Sequence, residues 1–166
     1  MDKITILGIG NILLQDEGVG VRTVEKLISQ YRFSDDVQIL DGGTLGMSLI
    51  PYLDGSQKLI ILDAVSGKLA PGSIYELRNE DVKVYFKQTV SLHDLGIQDV
   101  LAMLEVLEKP INEIVVFGVQ PEIIDVGLEL SPTVAPAVNE LISLVIGQLN
   151  TWQVEVVASE NSAAVG

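Results

Sequence analysis

Three side chains in this sequence combine reactive chemistry with an unusual setting. Asp63 ends the apolar run 59–62, which has the composition of a buried strand. A buried carboxylate is costly without a cation or several hydrogen-bond donors, which favours a functional role. Glu17 is followed by two nearby glycines, which would let a ligand approach the backbone closely. His93 is the only histidine of the chain. We therefore single out these three residues.

His93 occupies a position where a neutral imidazole is expected. Ser91 as the N-cap and Asp94 three residues later resemble a capping box, so His93 falls in the first turn of a helix. The helix dipole disfavours a protonated imidazole there, and metal ions bind the neutral form. Two ordinary explanations stay open. In the first, His93 is a solvated helix-start residue, and in the second, Asp63 accepts hydrogen bonds from backbone groups of the next loop.

The loop after the first apolar run argues against nucleotide binding. Gly8 and Gly10 begin like a dinucleotide fingerprint, but its third glycine would fall on Leu13. No P-loop lysine is present, and the carboxylates of Asp16 and Glu17 would repel a pyrophosphate. Asp16 itself is predicted to be the N-cap of the first helix.

Taken together, Glu17, Asp63 and His93 are expected at one edge of a sheet. Two carboxylates and one imidazole form a set that binds a divalent metal and leaves positions open for water or substrate. Because the three residues are dispersed along the chain, this pattern is suggestive and not specific.

The elements that position them follow from the apolar periodicity. Strands alternate with helices, which indicates an α/β fold. The connection through Pro71 and Gly72 is too short for a crossover, so at least one strand should be antiparallel. Segment 82–86 is predicted as an edge strand or an extended loop, and Ser131 as an N-cap with Pro132 just inside its helix. The predicted strands are 3–8, 37–41, 58–64, 72–77 and 113–121, and the predicted helices are 19–31, 45–53 (ended or bent near Pro51), 94–110 and 131–152.

These elements predict a three-layer α/β sandwich, with a mainly parallel twisted sheet of about five strands and helices on both faces. We expect a single domain over residues 1–152 and a flexible tail over 153–166. In such sheets the site lies outside the carboxyl ends of the strands. Glu17 and Asp63 follow strands, and His93 precedes the third helix.

The composition narrows the class of partner. The formal net charge is -13, from 10 basic and 23 acidic residues, so nucleic acid and anionic membranes are poor partners. The absence of cysteine excludes thiolate sites and fits a reducing compartment. The N-terminal apolar run lacks the features of a signal peptide. We therefore expect a cytoplasmic protein without membrane association.

Five motifs connect this chain to a known family. They are GIGNILLQDEGVG (8–20), DGGTLG (41–46), ILDAV (61–65), SLHDLG (91–96) and FGVQP (117–121). In this order they resemble the hydrogenase maturation endopeptidases, which trim the C-terminal tail from nickel–iron hydrogenase large-subunit precursors. The resemblance runs from residue 4 to about residue 150.

The resemblance implies a metal-binding triad of Glu17, Asp63 and His93, the same residues reached above. It also implies a monomer, with a hydrogenase large-subunit precursor as partner. Nickel would arrive already inserted in the precursor, and another divalent metal could occupy the site in vitro. Asp41 and the glycines after it would border the cleft. Gln120 stands where the family is expected often to carry Glu, which puts a charged role there in doubt.

No Ser-His-Asp arrangement or nucleophile elbow is visible, so hydrolysis points to an activated water. We hypothesise that a metal held by the triad polarises the scissile carbonyl, lowers the pKa of a bound water, or both. Asp16 and Asp41 are both candidates for the general base. Two alternatives remain, namely a nickel-sensing binding module without peptidase activity and a metal-independent enzyme in which Asp63 and His93 perform acid–base chemistry.

Overall fold

The computed structural model describes residues 2–43, 46–88 and 95–159. Its strands are β1 (Ile4–Ile9), β2 (Tyr31–Phe33), β3 (Val37–Gly43), β4 (Lys58–Ala64), β5 (Ile74–Arg78), β6 (Glu113–Val119) and β7 (Val156–Ala158). Its α-helices are α1 (Val19–Gln30), α2 (Ile50–Leu53), α3 (Glu80–Gln88), α4 (Leu95–Val106) and α5 (Ala137–Thr151). Short 3-10 helices at Gln15–Gly18 and Gly46–Leu49 precede α1 and α2.

Five strands form the main sheet in the order β3-β1-β4-β6-β5. β1, β3, β4 and β6 run parallel, and β5 pairs antiparallel with β6. The prediction of a mainly parallel sheet with one antiparallel strand is confirmed. β5 returns along β6 and not along β4, the strand that precedes it in the chain. The turn before β5 is fixed by Gly72, whose N–H donates to the Gln120 carbonyl at 2.8 Å.

Helices cover both faces of this sheet, which confirms the predicted three layers. In β4 the side chains of Ile60 and Leu62 pack in the cluster that includes residues of α1 and α5. Leu59 and Ile61 pack in the opposite cluster, with residues of α2, α3 and α4. All four side chains are fully buried. The continuous apolar run 59–62 therefore reflects a strand that is covered on both faces.

Segment 82–86, predicted as an edge strand or extended loop, is helical and belongs to α3. Val82 and Phe86 are buried four residues apart, on one face of the helix, while Val84 is exposed. Glu80 and Asp81 lie in the first turn, where carboxylates interact favourably with the helix dipole. Burial in this segment therefore follows the four-residue spacing of a helix and not the two-residue alternation of a strand.

The last long helix begins later than predicted. α5 starts at Ala137 with Pro136 as its N-cap, and not at Ser131. Ser131 instead supports the turns that precede α5. Its Oγ accepts from the N–H of Val134 at 3.3 Å, and its carbonyl accepts from the N–H of Ala135.

Two smaller predictions also need correction. Pro51 neither ends nor bends a helix at 45–53, because it lies in the first turn of the short helix α2. Residues 156–158, predicted within a flexible tail, form β7 and pair antiparallel with β2. The N–H of Ser159 extends this contact by donating to the Gln30 carbonyl at 2.8 Å. Within the three described ranges, no helix has the length and apolar character needed to cross a membrane.

Candidate functional site

The carboxyl ends of β1, β3, β4 and β6 lie at the same edge of the sheet because these strands are parallel. Gly8 of β1 is in register with Asp41 on one side and Leu62 on the other. Asp63 of β4 is in register with Gly118 of β6. This edge therefore brings together the segments that carry Asp41, Asp63 and the loop after β1, as the sequence predicts.

Asp63 is a fully buried carboxylate at this edge. Its neighbours of the same parity, Ile61 and Val65, pack in the cluster of α4, so alternation puts the Asp63 side chain on that face. Its Oδ1 accepts from the N–H of Ala64 at 2.8 Å. The donor is the last residue of β4, and the bond fixes the carboxylate where the strand ends.

Glu17 is half-buried in the 3-10 helix that precedes α1, and this short helix contacts β4. Two glycines make the approach possible. Gly10 has φ +130°, and a Cβ on it would overlap the carbonyl oxygen of Glu17. A Cβ on Gly20 would overlap the carbonyl oxygen of Leu62, the residue before Asp63. Glu17 is thus held close to the carboxyl end of β4.

The glycines around Glu17 have a role in packing. The space beside Gly20 is filled by the backbone of β4, and a Cβ on Gly18 would lie 2.8 Å from the Cα of Ile12. These glycines allow close approach of the chain to itself. The approach of a ligand to this backbone stays a prediction.

His93 lies outside the described residues, so the arrangement of the three predicted ligands stays a prediction. α4 begins at Leu95, two residues after His93. Among residues 2–43, 46–88 and 95–159, no group of three or more histidine, aspartate or glutamate side chains is arranged to hold a metal ion.

Asp16 is fully buried and accepts hydrogen bonds from four donors. Its Oδ2 accepts from the N–H groups of Glu122 and Ile123, at 2.9 and 2.8 Å, and from the Ser131 hydroxyl at 2.8 Å. Its Oδ1 accepts from the N–H of Ser131 at 2.8 Å. Burial raises the pKa of Asp16, but these hydrogen bonds outweigh it and hold the pKa below its usual value.

These contacts change the interpretation of Asp16 in two ways. It is not an N-cap, because neither the 3-10 helix nor α1 has a side-chain cap hydrogen bond. It is also a poor general base, because a lowered pKa and four donors leave the carboxylate little affinity for a proton. What it does is bind the chain between β6 and α5 to the loop after β1.

Asp41 remains the exposed carboxylate of the cleft. It lies near the end of β3, and its Oδ1 accepts from the N–H of Gly43 at 3.0 Å. The cleft beside it has a volume of about 300 Å3, and one of its lining residues, Gly10, packs against the carbonyl oxygen of Glu17. Its lining residues come from the loop after β1, α1 and the end of β3, and they are Gly10, Asn11, Ile12, Leu13, Val21, Asp41 and Gly43.

Gln120 has a structural role that the sequence did not reveal. Its Oε1 accepts from the Tyr75 hydroxyl at 2.6 Å and from the N–H of Gly67 at 2.8 Å. The Tyr75 oxygen in turn accepts from the N–H of Leu69 at 2.9 Å. A neutral amide therefore fixes the loop between β4 and β5 beside Asp63. These hydrogen bonds are made by an uncharged side chain, so they give position 120 no charged role.

Comparison with known proteins identifies the family of this chain. A family model described as hydrogenase maturation protease matches residues 21–148. The chain belongs to the hydrogenase maturation protease family. It is accordingly a peptide-bond hydrolase, and the resemblance seen in the motifs is confirmed.

Family members with the same fold cover nearly the whole chain. The chain is 41% identical to the hydrogenase 2 maturation protease of Escherichia coli K12 over 159 residues, which are 95% of this chain and 97% of that protein. It is 36% identical to the hydrogenase expression/formation protein HupD of Rhodobacter capsulatus over 157 residues, 93% of this chain and 75% of HupD. The solved structure of the E. coli endopeptidase HybD superposes with a TM-score of 0.92 at 40% identity, covering 98% of this chain and all (100%) of HybD.

Proposed function

We propose that this protein is an endopeptidase that removes the C-terminal extension of a nickel–iron hydrogenase large-subunit precursor after nickel has been inserted. The observation that carries the proposal is the near full-length match to the hydrogenase 2 maturation protease, which covers 95% of this chain and 97% of that protein. Because both chains are covered almost completely, the similarity extends over the whole domain and is not limited to one part of it.

The proposed nickel-recognition residues are Glu17, Asp63 and His93. Two observations support them. Asp63 is a buried carboxylate at the carboxyl edge of the sheet, and Glu17 lies in a turn that contacts the same strand. Carboxylate oxygens and an imidazole nitrogen suit nickel and other divalent metals, so the donor chemistry fits. We propose that nickel enters with the precursor, as part of the substrate.

The chain's own residues would then contribute position and proton transfer. Nickel, when bound, supplies a Lewis acid that polarises a carbonyl or acidifies a water molecule. Asp63 would keep its carboxylate fixed by the bond from Ala64. Asp41 is the proposed general base, because it is exposed at the cleft and Asp16 is committed to four donors. A chelator added when nickel is accessible should abolish cleavage, and unchanged cleavage would contradict this mechanism.

Two other functions are compatible with these residues. In a nickel-sensing module, the three residues would bind the metal of the precursor without cleavage. In a metal-independent hydrolase, Asp63 and His93 would perform acid–base chemistry and Glu17 would be dispensable. Glu17→Gln distinguishes these cases, because it removes a metal-binding carboxylate and leaves Asp63 and His93 intact.

The test compares single-turnover cleavage of the nickel-loaded precursor by Glu17→Gln, Asp63→Asn and His93→Gln. Each should lower the rate by at least about 100-fold, as expected for groups that act at the reacting centre. Glu155→Gln, an exposed acid after α5, is the matched control and should cleave at the wild-type rate. A wild-type rate for Glu17→Gln would favour the metal-independent enzyme. Binding of the precursor without cleavage by the wild type would favour the sensing module.

We further propose that the protein acts as a cytoplasmic monomer. The cysteine-free composition supports a reducing compartment. Light scattering on a sizing column should give the mass of one 17.9 kDa chain. A mass of two chains would contradict the monomer.

A further inference from the structure

The loop between β6 and α5 exposes large apolar side chains next to the candidate site. We call residues 122–129 together with Leu13 the apolar rim. The exposed fractions are 45% for Ile124, 90% for Val126, 60% for Leu128 and 57% for Leu13. Single exposed apolar residues are ordinary, but adjacent ones mark interaction surfaces more often.

These side chains are adjacent because the two segments are hydrogen-bonded to each other. Leu14 and Gly127 form an isolated parallel bridge. The N–H of Gly127 donates to the Leu13 carbonyl at 2.9 Å, and the N–H of Gln15 donates to the Gly127 carbonyl at 3.1 Å. Leu13 therefore lies alongside the part of the loop that carries Val126 and Leu128.

The exposure does not result from a loose loop. At one end of the apolar rim, the buried Asp16 carboxylate accepts from the N–H groups of Glu122 and Ile123. At the other end, Nη2 of Arg22 donates to the Leu128 carbonyl at 2.9 Å. The backbone is fixed on the body of the protein while the apolar side chains face outward. Such preorganisation lowers the entropic cost of binding a partner.

The charges around the apolar rim specify the chemistry of that partner. Glu122, Asp125 and Glu129 are exposed and alternate with the apolar residues. Arg22 is the cation beside them, and Nη1 of Arg22 is paired with Glu25 at 3.3 Å. The chain as a whole carries a formal charge of -13. A complementary surface would present apolar side chains flanked by lysine or arginine.

The apolar rim is continuous with the candidate site. Leu13 also lines the 300 Å3 cleft that Asp41 borders. Asp16, which anchors the loop, directly precedes Glu17. A protein whose C-terminal extension entered the cleft would cover the rim at the same time.

We propose that the apolar rim is a docking surface for the hydrogenase large-subunit precursor, and that it binds a segment with apolar side chains flanked by basic ones. This inference rests on the proposed function for the identity of the partner. Docking on the rim occurs outside the metal-binding residues, so it contributes to affinity for the precursor and not to the chemical step.

The test measures the affinity of the cognate precursor, in nickel-loaded and nickel-free forms, for Val126→Glu. Val106→Glu is the matched control, because Val106 is 75% exposed at the end of α4, outside the apolar rim. Val126→Glu should raise Kd and KM by about tenfold or more and leave kcat unchanged, as expected at a binding hot spot. Val106→Glu should stay within about twofold of the wild type.

A charge variant tests the basic character of the partner. Asp125→Lys should raise Kd by about fivefold, whereas Asp99→Lys, which changes an exposed acid on α4, should not. Circular dichroism would verify that all four variants are folded.

The outcomes separate this inference from the proposed function. Equal Kd values for Val126→Glu and Val106→Glu, or no binding of either precursor form by the wild type, would overturn the docking surface. If the wild type binds but cleaves neither form, the proposed peptidase function is wrong. A selective effect of Val126→Glu on Kd would still support docking in that case.

Discussion

Asp16 and Asp63 are both fully buried carboxylates near the carboxyl edge of the sheet, but the sequence assigns their roles unequally well. Asp63 follows an apolar strand, so its burial and its position could be predicted from the sequence. Asp16 lies in a polar loop, and its donors Glu122, Ile123 and Ser131 are more than 100 residues away in the chain. No local pattern encodes such a contact, which explains why Asp16 was predicted to be an N-cap.

Replacing Asp16 should test its structural role directly. Asp16→Asn turns an amide N–H2 toward groups that are themselves donors, so several hydrogen bonds to a charged acceptor are lost. We expect the free energy of unfolding to fall by about 3 kcal/mol. Urea denaturation measures this loss, with Asp99→Asn on the surface of α4 as the control. A change below about 0.5 kcal/mol would contradict the role assigned to Asp16.

The same residue predicts a pH dependence. The pKa of Asp16 in the folded protein lies below its usual value of 3.8. The stabilisation is therefore complete above the unfolded-state pKa and is lost as pH falls through the folded-state pKa. The difference in unfolding free energy between wild type and Asp16→Asn should be constant near neutral pH and should shrink below about pH 4. A difference that grows on acidification would show that the sign is wrong.

Gly10 tests the position of Glu17. In Gly10→Ala, the methyl group would overlap the Glu17 carbonyl oxygen, and φ +130° is strained for alanine. We expect Glu17 to move and precursor cleavage to fall by at least about tenfold. Gly147→Ala in α5 is the control, because no atom lies within 4 Å of its added Cβ. Its cleavage rate should equal that of the wild type, and equal rates for both variants would refute the requirement for Gly10.

Among the strands and helices, the sequence predicts those that the spacing of apolar residues identifies without ambiguity. β1, β4 and β6 have apolar runs typical of a buried strand, whereas β3 is mostly half-buried, and the positions of all four parallel strands are predicted to within two residues. Segment 82–86 was ambiguous, because Val82, Val84 and Phe86 alternate while Val82 and Phe86 also have helical spacing. In the folded chain Val82 and Phe86 pack in the same cluster as residues of α4, which matches the helical spacing. The strand β7 was missed because three residues are too few for a periodic signal.

A truncation series tests the contribution of β7. Removing residues 156–159 eliminates its pairing with β2, the packing of Val156 on the core and the bond from Ser159 to Gln30. A chain ending at Glu155 should therefore be less stable than one ending at Ser159 by about 1–3 kcal/mol. Thermal and urea unfolding of the two chains measure the difference. Equal stabilities would mean that β7 contributes nothing to the fold.

At the scale of the whole molecule, the charge of -13 should govern how the substrate associates. If the precursor docks through basic residues, salt screens the attraction. Raising NaCl from about 0.05 M to about 0.5 M should raise KM severalfold and leave kcat unchanged. A KM that falls as salt is added would contradict a basic docking segment, and the Asp125→Lys variant should show a weaker salt dependence than the wild type.

Some features of the candidate site could be predicted from the sequence, and others could not. Its location at the carboxyl edge follows from the strand order, so the segments that carry Glu17 and Asp63 could be predicted to lie near each other. The fixed loop at 122–129 and the bonding of Gln120 depend on long-range contacts of individual polar atoms. Such contacts are seen only in the folded chain, because neither the spacing of apolar residues nor a local motif predicts them.

The most direct test of the account is the intact mass of the precursor before and after incubation with this protein. Nickel-loaded and nickel-free forms of the cognate large-subunit precursor would be compared under the same conditions. We expect loss of a C-terminal fragment from the nickel-loaded form alone, and no loss when Glu17→Gln replaces the wild type. Unchanged masses for both forms, or equal cleavage of both, would contradict a nickel-gated endopeptidase.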